Sequence, residues 1–364
     1  MNKIDLKSIG LTEGFIREAQ SYNTLNIGRV ASQSKDLYQV ITEAGVLRAE
    51  ISGKFRHQAR TFSAYPAVGD FVMVDRTDNV RGNGVIHHVL TRKSVFARAR
   101  AARKAPGPTE ELQVVAANID TVFLCMALNN DFNLRRLERY LSIAWDSGAT
   151  PVVVLTKADL CTDIEAKLSA LSSTAIGVEV LITTSISEHG YLSVKKHLSF
   201  GQTVAFIGSS GVGKSTLINR LLGEDTLETR ETRSDDKGRH TTTRRELIVL
   251  PEGGVVIDTP GMRELGVISA DLGRSFADID ELAAGCKFRD CAHEKEPGCA
   301  VQEAVRAGIL SAERLESFKK LKIEAKYSGL NSKQIEKEKF DRMCGSVGGI
   351  KNARRLIKEK TKKK

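Results

Sequence analysis

The eight residues Gly208-Ser209-Ser210-Gly211-Val212-Gly213-Lys214-Ser215 fit the pattern G-x-x-x-x-G-K-[ST], and they stand between the apolar run TVAFI and the segment STLINRLL. Nothing else in the chain constrains its fold as strongly. Glycines at these positions let backbone N–H groups turn inward, and such a loop at the start of a helix is a seat for phosphate. Lys214 is spaced to reach the β- and γ-phosphates of a nucleoside triphosphate, Ser215 to ligate Mg²⁺, and Thr216 to continue the N–H cradle. The loop works only with a strand before it and a helix after it. The expected surroundings are therefore a doubly wound, mostly parallel α/β sheet with its ligand at the carboxyl ends of the strands.

The flanking sequence has that alternation. TVFLCMAL (121–128), PVVVLTKADL, VEVLITTS, ELIVL and GVVIDTPG read as strands, and NLRRLERYLSIAWDSG, IEAKLSALSS and YLSVKKHL as helices. Three strand ends carry chemistry. Asp258-Thr-Pro-Gly261 places an acid that can hold Mg²⁺ and a Gly261 N–H that can meet a γ-phosphate. Thr156-Lys157-Ala158-Asp159 resembles the N/T-K-x-D guanine motif of GTPases, with Thr156 in place of the usual Asn. An aspartate there accepts from guanine N1–H and N2–H₂, a donor pair that adenine lacks, while the Lys157 stem packs on the base. A lone K-x-D is more often a surface turn; its position at a strand end beside a phosphate loop is what gives it weight. Ser185, after VEVLI, resembles the second and weaker base-contacting element.

The order of these motifs is informative. GTPases ordinarily run phosphate loop, switch, DxxG and then guanine motifs. Here residues 156–159 and Ser185 precede 208–215 and 258–261. The sheet is expected to be circularly permuted, which is feasible because chain termini tend to lie close together at a surface.

Ahead of this region, NIGRVAS, LYQVITEAG, VLRAEIS, VGDFVMVD and NGVIHHVL read as five short strands. They suit a small closed barrel of the OB or SH3-like type. Residues 1–25 read as an arm or helix, and RARAARKAPGPTEE as an exposed linker. Trp145 reads as a core residue of its helix, and Cys125 and Cys161 as core or near-core. The net charge of +10 is unevenly placed. Residues 79–109 carry seven basic and no acidic side chains, and residues 314–364 carry 17 basic and 6 acidic ones. Two basic stretches flanking a more acidic middle suit a polyanion, either nucleic acid or an anionic membrane surface. No apolar run approaches the length of a membrane span, and the N-terminus lacks the apolar region of a secretory signal, so a cytoplasmic setting with reduced cysteines is expected.

Cys286-x4-Cys291-x-His293-x5-Cys299 gathers three thiols and one imidazole within 14 residues. Cys₃His is a closed tetrahedral zinc set, with no open position for catalysis. A zinc ion there would fold a small module that has little core of its own.

A barrel, a permuted GTPase and this cysteine module together resemble the ribosome small subunit-dependent GTPase A family (RsgA, also called YjeQ). The strings AANID at 116–120, GSSGVGKSTLIN, GRHTTT at 238–243, DTPGMREL and FRDCAHEKEPGC carry the resemblance. It implies GTP hydrolysis stimulated by the small (30S) ribosomal subunit during its late maturation, with barrel and zinc module touching 16S rRNA. The expected divisions are an arm over 1–25, an OB-fold barrel and basic linker over 26–105, the GTPase over 106–275, a helical zinc module over 276–330 and a basic tail over 331–364. The protein is expected to act as a monomer. Where Ras-like GTPases place a water-orienting Gln after DxxG, this chain has Met262. His240 is the candidate to replace it, and Thr242 or Thr243 the switch residue that closes on Mg²⁺. The rival readings are an RNA-binding P-loop NTPase of another pathway, a metabolic ATPase or kinase, and a scaffold with a vestigial nucleotide site.

Overall fold

The computed structural model describes residues 3–59, 61–99, 112–129, 131–184, 186–187, 190–223, 246–251, 253–258 and 272–327. The five expected N-terminal strands are β1 (Asn26–Ser34), β2 (Leu37–Thr42), β3 (Gly45–Ile51), β4 (Phe71–Val74) and β5 (Gly84–Val89). They run in the order β1-β2-β3-β5-β4, and β4 pairs back onto β1 to close a barrel. Alternating residues fill it: Val30, Tyr38, Val40, Leu47, Ala49, Val72, Val74 and Ile86 form one buried cluster. A short helix α1 (Glu13–Ala19) closes one side, with the Phe15 ring 4.5 Å from Phe71. A second, α2 (Gly53–Gln58), is capped by the Ser52 hydroxyl, which accepts from the Phe55 N–H.

The connection out of the barrel differs from the expected loop. Arg98 and Ala99 belong to β6 (Val95–Ala99), which pairs antiparallel with β7 (Leu112–Ala117). The run VFARA is short and mixed in polarity, so only its partner strand makes it regular; residues 100–111 lie outside the described residues.

Beyond β7 the parallel sheet follows in the order β10 (Glu179–Ile182), β9 (Thr150–Thr156), β8 (Thr121–Ala127), β11 (Thr203–Gly208) and β13 (Val255–Asp258), with β12 (Glu246–Val249) antiparallel at its end. β12 reaches the barrel through the pair Ser32↔Glu246. Successive residues of these strands point to opposite faces, and each face buries a separate layer. Val122, Leu124, Met126, Val153, Leu155 and Ile207 meet α3 (Leu134–Ser147), α4 (Ile164–Ser172) and the C-terminal helices. Phe123, Cys125, Val152, Val154 and Phe206 meet α5 (Leu192–Lys195) and α6 (Lys214–Leu222). α3 starts where the Asn133 side chain accepts from the Arg136 N–H, and it ends at Gly148 with φ of 85°. Trp145 is not a core residue: it is half-buried near the end of α3, with the Arg274 guanidinium 5.3 Å from its ring.

Two buried arginines tie the parts together. Arg29 of β1 is fully buried. Its guanidinium donates to the Gly69 carbonyl at 3.1 Å, the Asn118 carbonyl at 3.2 Å, the Thr203 hydroxyl at 2.9 Å and the Ile9 carbonyl. One side chain thereby joins the arm, the barrel, the turn after β7 and the first residue of β11. Arg314 of α9 (Ala312–Tyr327) donates to both oxygens of Asp278, on α7 (Ala277–Ala283), at 2.7 Å, and to Glu138 on α3 at 3.1 Å. That network holds the C-terminal helices onto the α/β sheet.

Candidate functional site

The loop 208–213 leaves the carboxyl end of β11 and opens α6. It packs directly on β8: a Cβ at Gly208 would lie 2.6 Å from the Cys125 carbonyl, so only glycine fits. Gly211 and Gly213 take φ of 71° and 99°, the left-handed conformations that turn the loop. The Lys214 ammonium folds over the loop and donates to the Gly208 carbonyl at 2.8 Å and the Ser209 carbonyl at 2.6 Å. Ser209, Ser210, Gly211, Gly213, Ser215 and Thr216 retain solvent exposure, while Val212 is buried and anchors the loop. A glycine turn, a lysine and a helix N-terminus converge here, the parts from which phosphate sites are built.

Asp258 ends β13, two strands from β8 across β11. Burial raises its carboxyl above the ordinary range, against the pull of the nearby Lys214 ammonium. A hydroxyl at Ser215 and a carboxylate at Asp258 are hard oxygen donors of the kind that hold Mg²⁺. Cys125, beneath the loop, is pushed up to about 12 by burial and is a packing residue.

The segment 156–159 lies beside this loop. The Thr156 hydroxyl donates to the Val212 carbonyl at 2.6 Å, linking the end of β9 to the phosphate loop. Lys157 takes a left-handed φ of 56°, and a single turn of 3₁₀ helix follows over Ala158–Leu160. Asp159 is exposed and accepts from the Thr184 hydroxyl at 2.5 Å, so the end of β9 is joined to the end of β10. The structure thus brings Thr156, Lys157, Ala158 and Asp159 together with 208–216. Ser185, His240, Thr242, Thr243 and Gly261 lie outside the described residues.

The second constellation is a metal-binding geometry. The donor atoms of Cys286, Cys291, His293 and Cys299 all lie within 4.8 Å of one another. Cys286 Sγ is 3.8 Å from Cys299 Sγ, and His293 Nδ1 is 3.7 Å from Cys286 Sγ and 3.5 Å from Cys299 Sγ. Metal–sulfur bonds of about 2.3 Å at tetrahedral angles put sulfurs about 3.8 Å apart, so the set fits one ion. Burial, with the charge of Lys322, lowers the pKa of His293 and favours its neutral, ligating form. Glu296 organises the loop: its carboxylate accepts from the backbone N–H groups of Ala292, Glu294 and Lys295 at 2.9, 2.8 and 3.0 Å. The Gln302 side chain donates to the His293 carbonyl at 2.6 Å.

Three contributors escape a motif search. Asp131 follows β8 and accepts from the Ser209 hydroxyl at 2.5 Å; its place after a strand of the parallel sheet was the available signal. Glu296 and Arg29 sit in no motif and show their roles only once the chain is folded.

Residues 89–268 match the family described as RsgA GTPase. The chain is 49% identical over 352 residues to the small ribosomal subunit biogenesis GTPase RsgA 2 of Lactiplantibacillus plantarum, covering 96% of this chain and 98% of that one. It is 43% identical to the protein of that name from Listeria monocytogenes, covering 93% and 94%. The crystal structure of YjeQ from Thermotoga maritima superposes with a TM-score of 0.60 at 28% identity, covering 83% of this chain and 98% of that one. YloQ, a circularly permuted GTPase, superposes at 0.58 with 26% identity, covering 84% and 97%. The five-stranded barrel, the permuted sheet, the phosphate loop and these similarities together assign the chain to the RsgA GTPase family.

Proposed function

We propose that this chain binds GTP along the face built from 156–159, Ser185 and 208–216, and hydrolyses it when docked on the small ribosomal subunit during that subunit's biogenesis. The observation that supports the reading is the Thr156–Val212 hydrogen bond, which joins the end of β9 to the phosphate loop. Asp159 would then read guanine, and Lys157 would pack on the base. The N–H groups of the loop and the Gly261 N–H would hold phosphate oxygens. Ser215 and Asp258 would hold Mg²⁺, which when bound neutralises charge on the β- and γ-phosphates. His240 would orient the attacking water in place of the missing Gln, and Thr242 or Thr243 would close the site.

The three thiols and one imidazole suit zinc, whose tetrahedral Cys₃His sites are structural. The same reading divides the chain at 25, 105, 275 and 330 into arm, barrel with linker, GTPase, zinc module and tail. The basic stretches on either side of the sheet suit 16S rRNA as the partner surface. The protein would act as a cytoplasmic monomer; no helix among the described residues is long and apolar enough to cross a membrane.

The test is GTP turnover with and without purified small subunits, over a salt series and with ATP as competitor. Turnover should rise with subunits, fall steeply with salt and resist ATP. Turnover indifferent to subunits, or ATP displacing GTP at equal concentration, would overturn the reading.

A further inference from the structure

The nucleotide motifs leave one polar group at the phosphate loop without a role. Asp131 stands in the turn between β8 and α3. One carboxylate oxygen accepts from the Ser209 hydroxyl at 2.5 Å, and the other pairs with the Arg136 guanidinium at 2.5 Å. The turn is itself built: the Asn129 side chain accepts from the Asp131 N–H at 3.0 Å.

Ser209 is held from two sides. Its hydroxyl goes to Asp131, and its carbonyl accepts from the Lys214 ammonium at 2.6 Å. The side chain of Ser209 and its carbonyl belong to one residue with few free torsions. The hydroxyl bond anchors the residue whose carbonyl receives the lysine, so Asp131 and Lys214 are linked through Ser209. A bare carboxylate beside a phosphate site would repel the ligand; Arg136 supplies the opposite charge, so Asp131 can serve as an acceptor there.

We infer that Asp131 is a positioning residue of the nucleotide site, acting through Ser209 to aim Lys214 at the phosphates. The inference rests on the GTP-binding reading above. Its effect should be larger for GTP than for GDP, because the P-loop lysine serves the γ-phosphate as well as the β-phosphate.

The experiment titrates fluorescent mant-GTP and mant-GDP into the full chain as wild type, Asp131→Ala, Asp131→Asn, Ser209→Ala and the Asp131→Ala/Ser209→Ala double variant, with thermal unfolding measured alongside. Loss of a hydrogen bond to a charged group should weaken mant-GTP about tenfold in Asp131→Ala and in Ser209→Ala. The double variant should bind no worse than either single one, since both remove the same link. Asp131→Asn keeps an oxygen acceptor and should recover most of the affinity. Wild-type mant-GTP affinity in Asp131→Ala, or a full further loss when Asp131→Ala is added to Ser209→Ala, would overturn the inference. Should Asp131→Ala fail to fold, Ser209→Ala decides: mant-GTP binding equal to wild type overturns the link. Lys214→Ala separates the two readings. If wild type binds and Lys214→Ala does not, while the Asp131 variants are unaffected, the Asp131 role alone falls. If wild type binds no mant-GTP, the GTP reading falls.

Discussion

The Thr156 hydroxyl and the Val212 carbonyl, both buried, are joined by a hydrogen bond of 2.6 Å between the end of β9 and the phosphate loop. The position where GTPases usually carry Asn here carries the shorter side chain that makes this bond. Thr156→Val keeps the shape and removes the donor, leaving a buried carbonyl unpaired, so it should cost about 1–3 kcal/mol of stability and weaken GTP binding. Thr156→Ser should behave as wild type. Urea unfolding and GTP titration read both effects; a Thr156→Val protein as stable as wild type would show that the bond contributes nothing.

Arg29 predicts a different failure. Its guanidinium reaches acceptors in the arm, the barrel, the turn after β7 and β11 at once. Burial lowers its pKa to about 10, so it stays charged at neutral pH. Arg29→Met removes every one of those donors and should cost about 3–5 kcal/mol. Arg29→Lys should rescue little, because a compact ammonium cannot reach in all those directions. Denaturant unfolding measures it; a loss below about 1 kcal/mol would exclude Arg29 as the joint between barrel and sheet.

Much of this was legible in the sequence for physical reasons. Strands such as Thr121–Ala127 and Val255–Asp258 are apolar on both faces and bounded by polar turns, and Gly208 to Ser215 is a loop whose backbone geometry demands its glycines. The cysteine spacing foretold a cluster that the fold closes to within 4.8 Å. What stayed hidden depends on contacts between distant residues. The Ser209–Asp131 bond spans 78 positions and the Arg29–Thr203 bond 174. β6 needs β7 before its mixed run becomes a strand, and Trp145, apolar by type, stands at a helix end where Arg274 covers it.

Asp258 gives a pH-dependent outcome. Burial raises its folded-state pKa, so the protonated carboxyl is favoured in the fold. That contribution is fully present below the unfolded carboxylate range and is lost as pH rises through the raised folded value. The fold therefore loses this contribution as the pH rises, and the carboxyl at position 258 weighs against stability in the nucleotide-free protein at the higher pH. Asp258→Asn should be more stable than wild type at pH 7 and about equal to it near pH 4, while losing Mg²⁺-dependent turnover. Thermal unfolding of both proteins across that range is the check; a variant less stable at pH 7 would reverse the sign.

Glu296 bears on the metal site without touching the metal donors. Its carboxylate gathers three backbone N–H groups in the stretch that presents His293, and His293 itself takes a left-handed φ of 58°. A non-glycine residue in that conformation needs surrounding structure to hold it. Its own backbone N–H, with those of Ala292, Glu294 and Lys295, pulls the Glu296 carboxyl down to about 2, so it is ionised at neutral pH. Glu296→Gln retains the size but weakens the charge-assisted bonds, and Glu296→Ala removes them. Outer partners of metal ligands commonly set affinity by 10–100-fold, and Glu296→Ala should fall in that range, with Glu296→Gln between it and wild type. Competition with a colorimetric chelator measures the affinity directly. Because these Glu296 bonds run to backbone N–H groups of residues 292–295, within its own loop, GTP affinity of the metal-loaded variant should be unchanged. Metal retention equal to wild type in Glu296→Ala would mean that the four ligands and the helix after Cys299 hold the loop on their own.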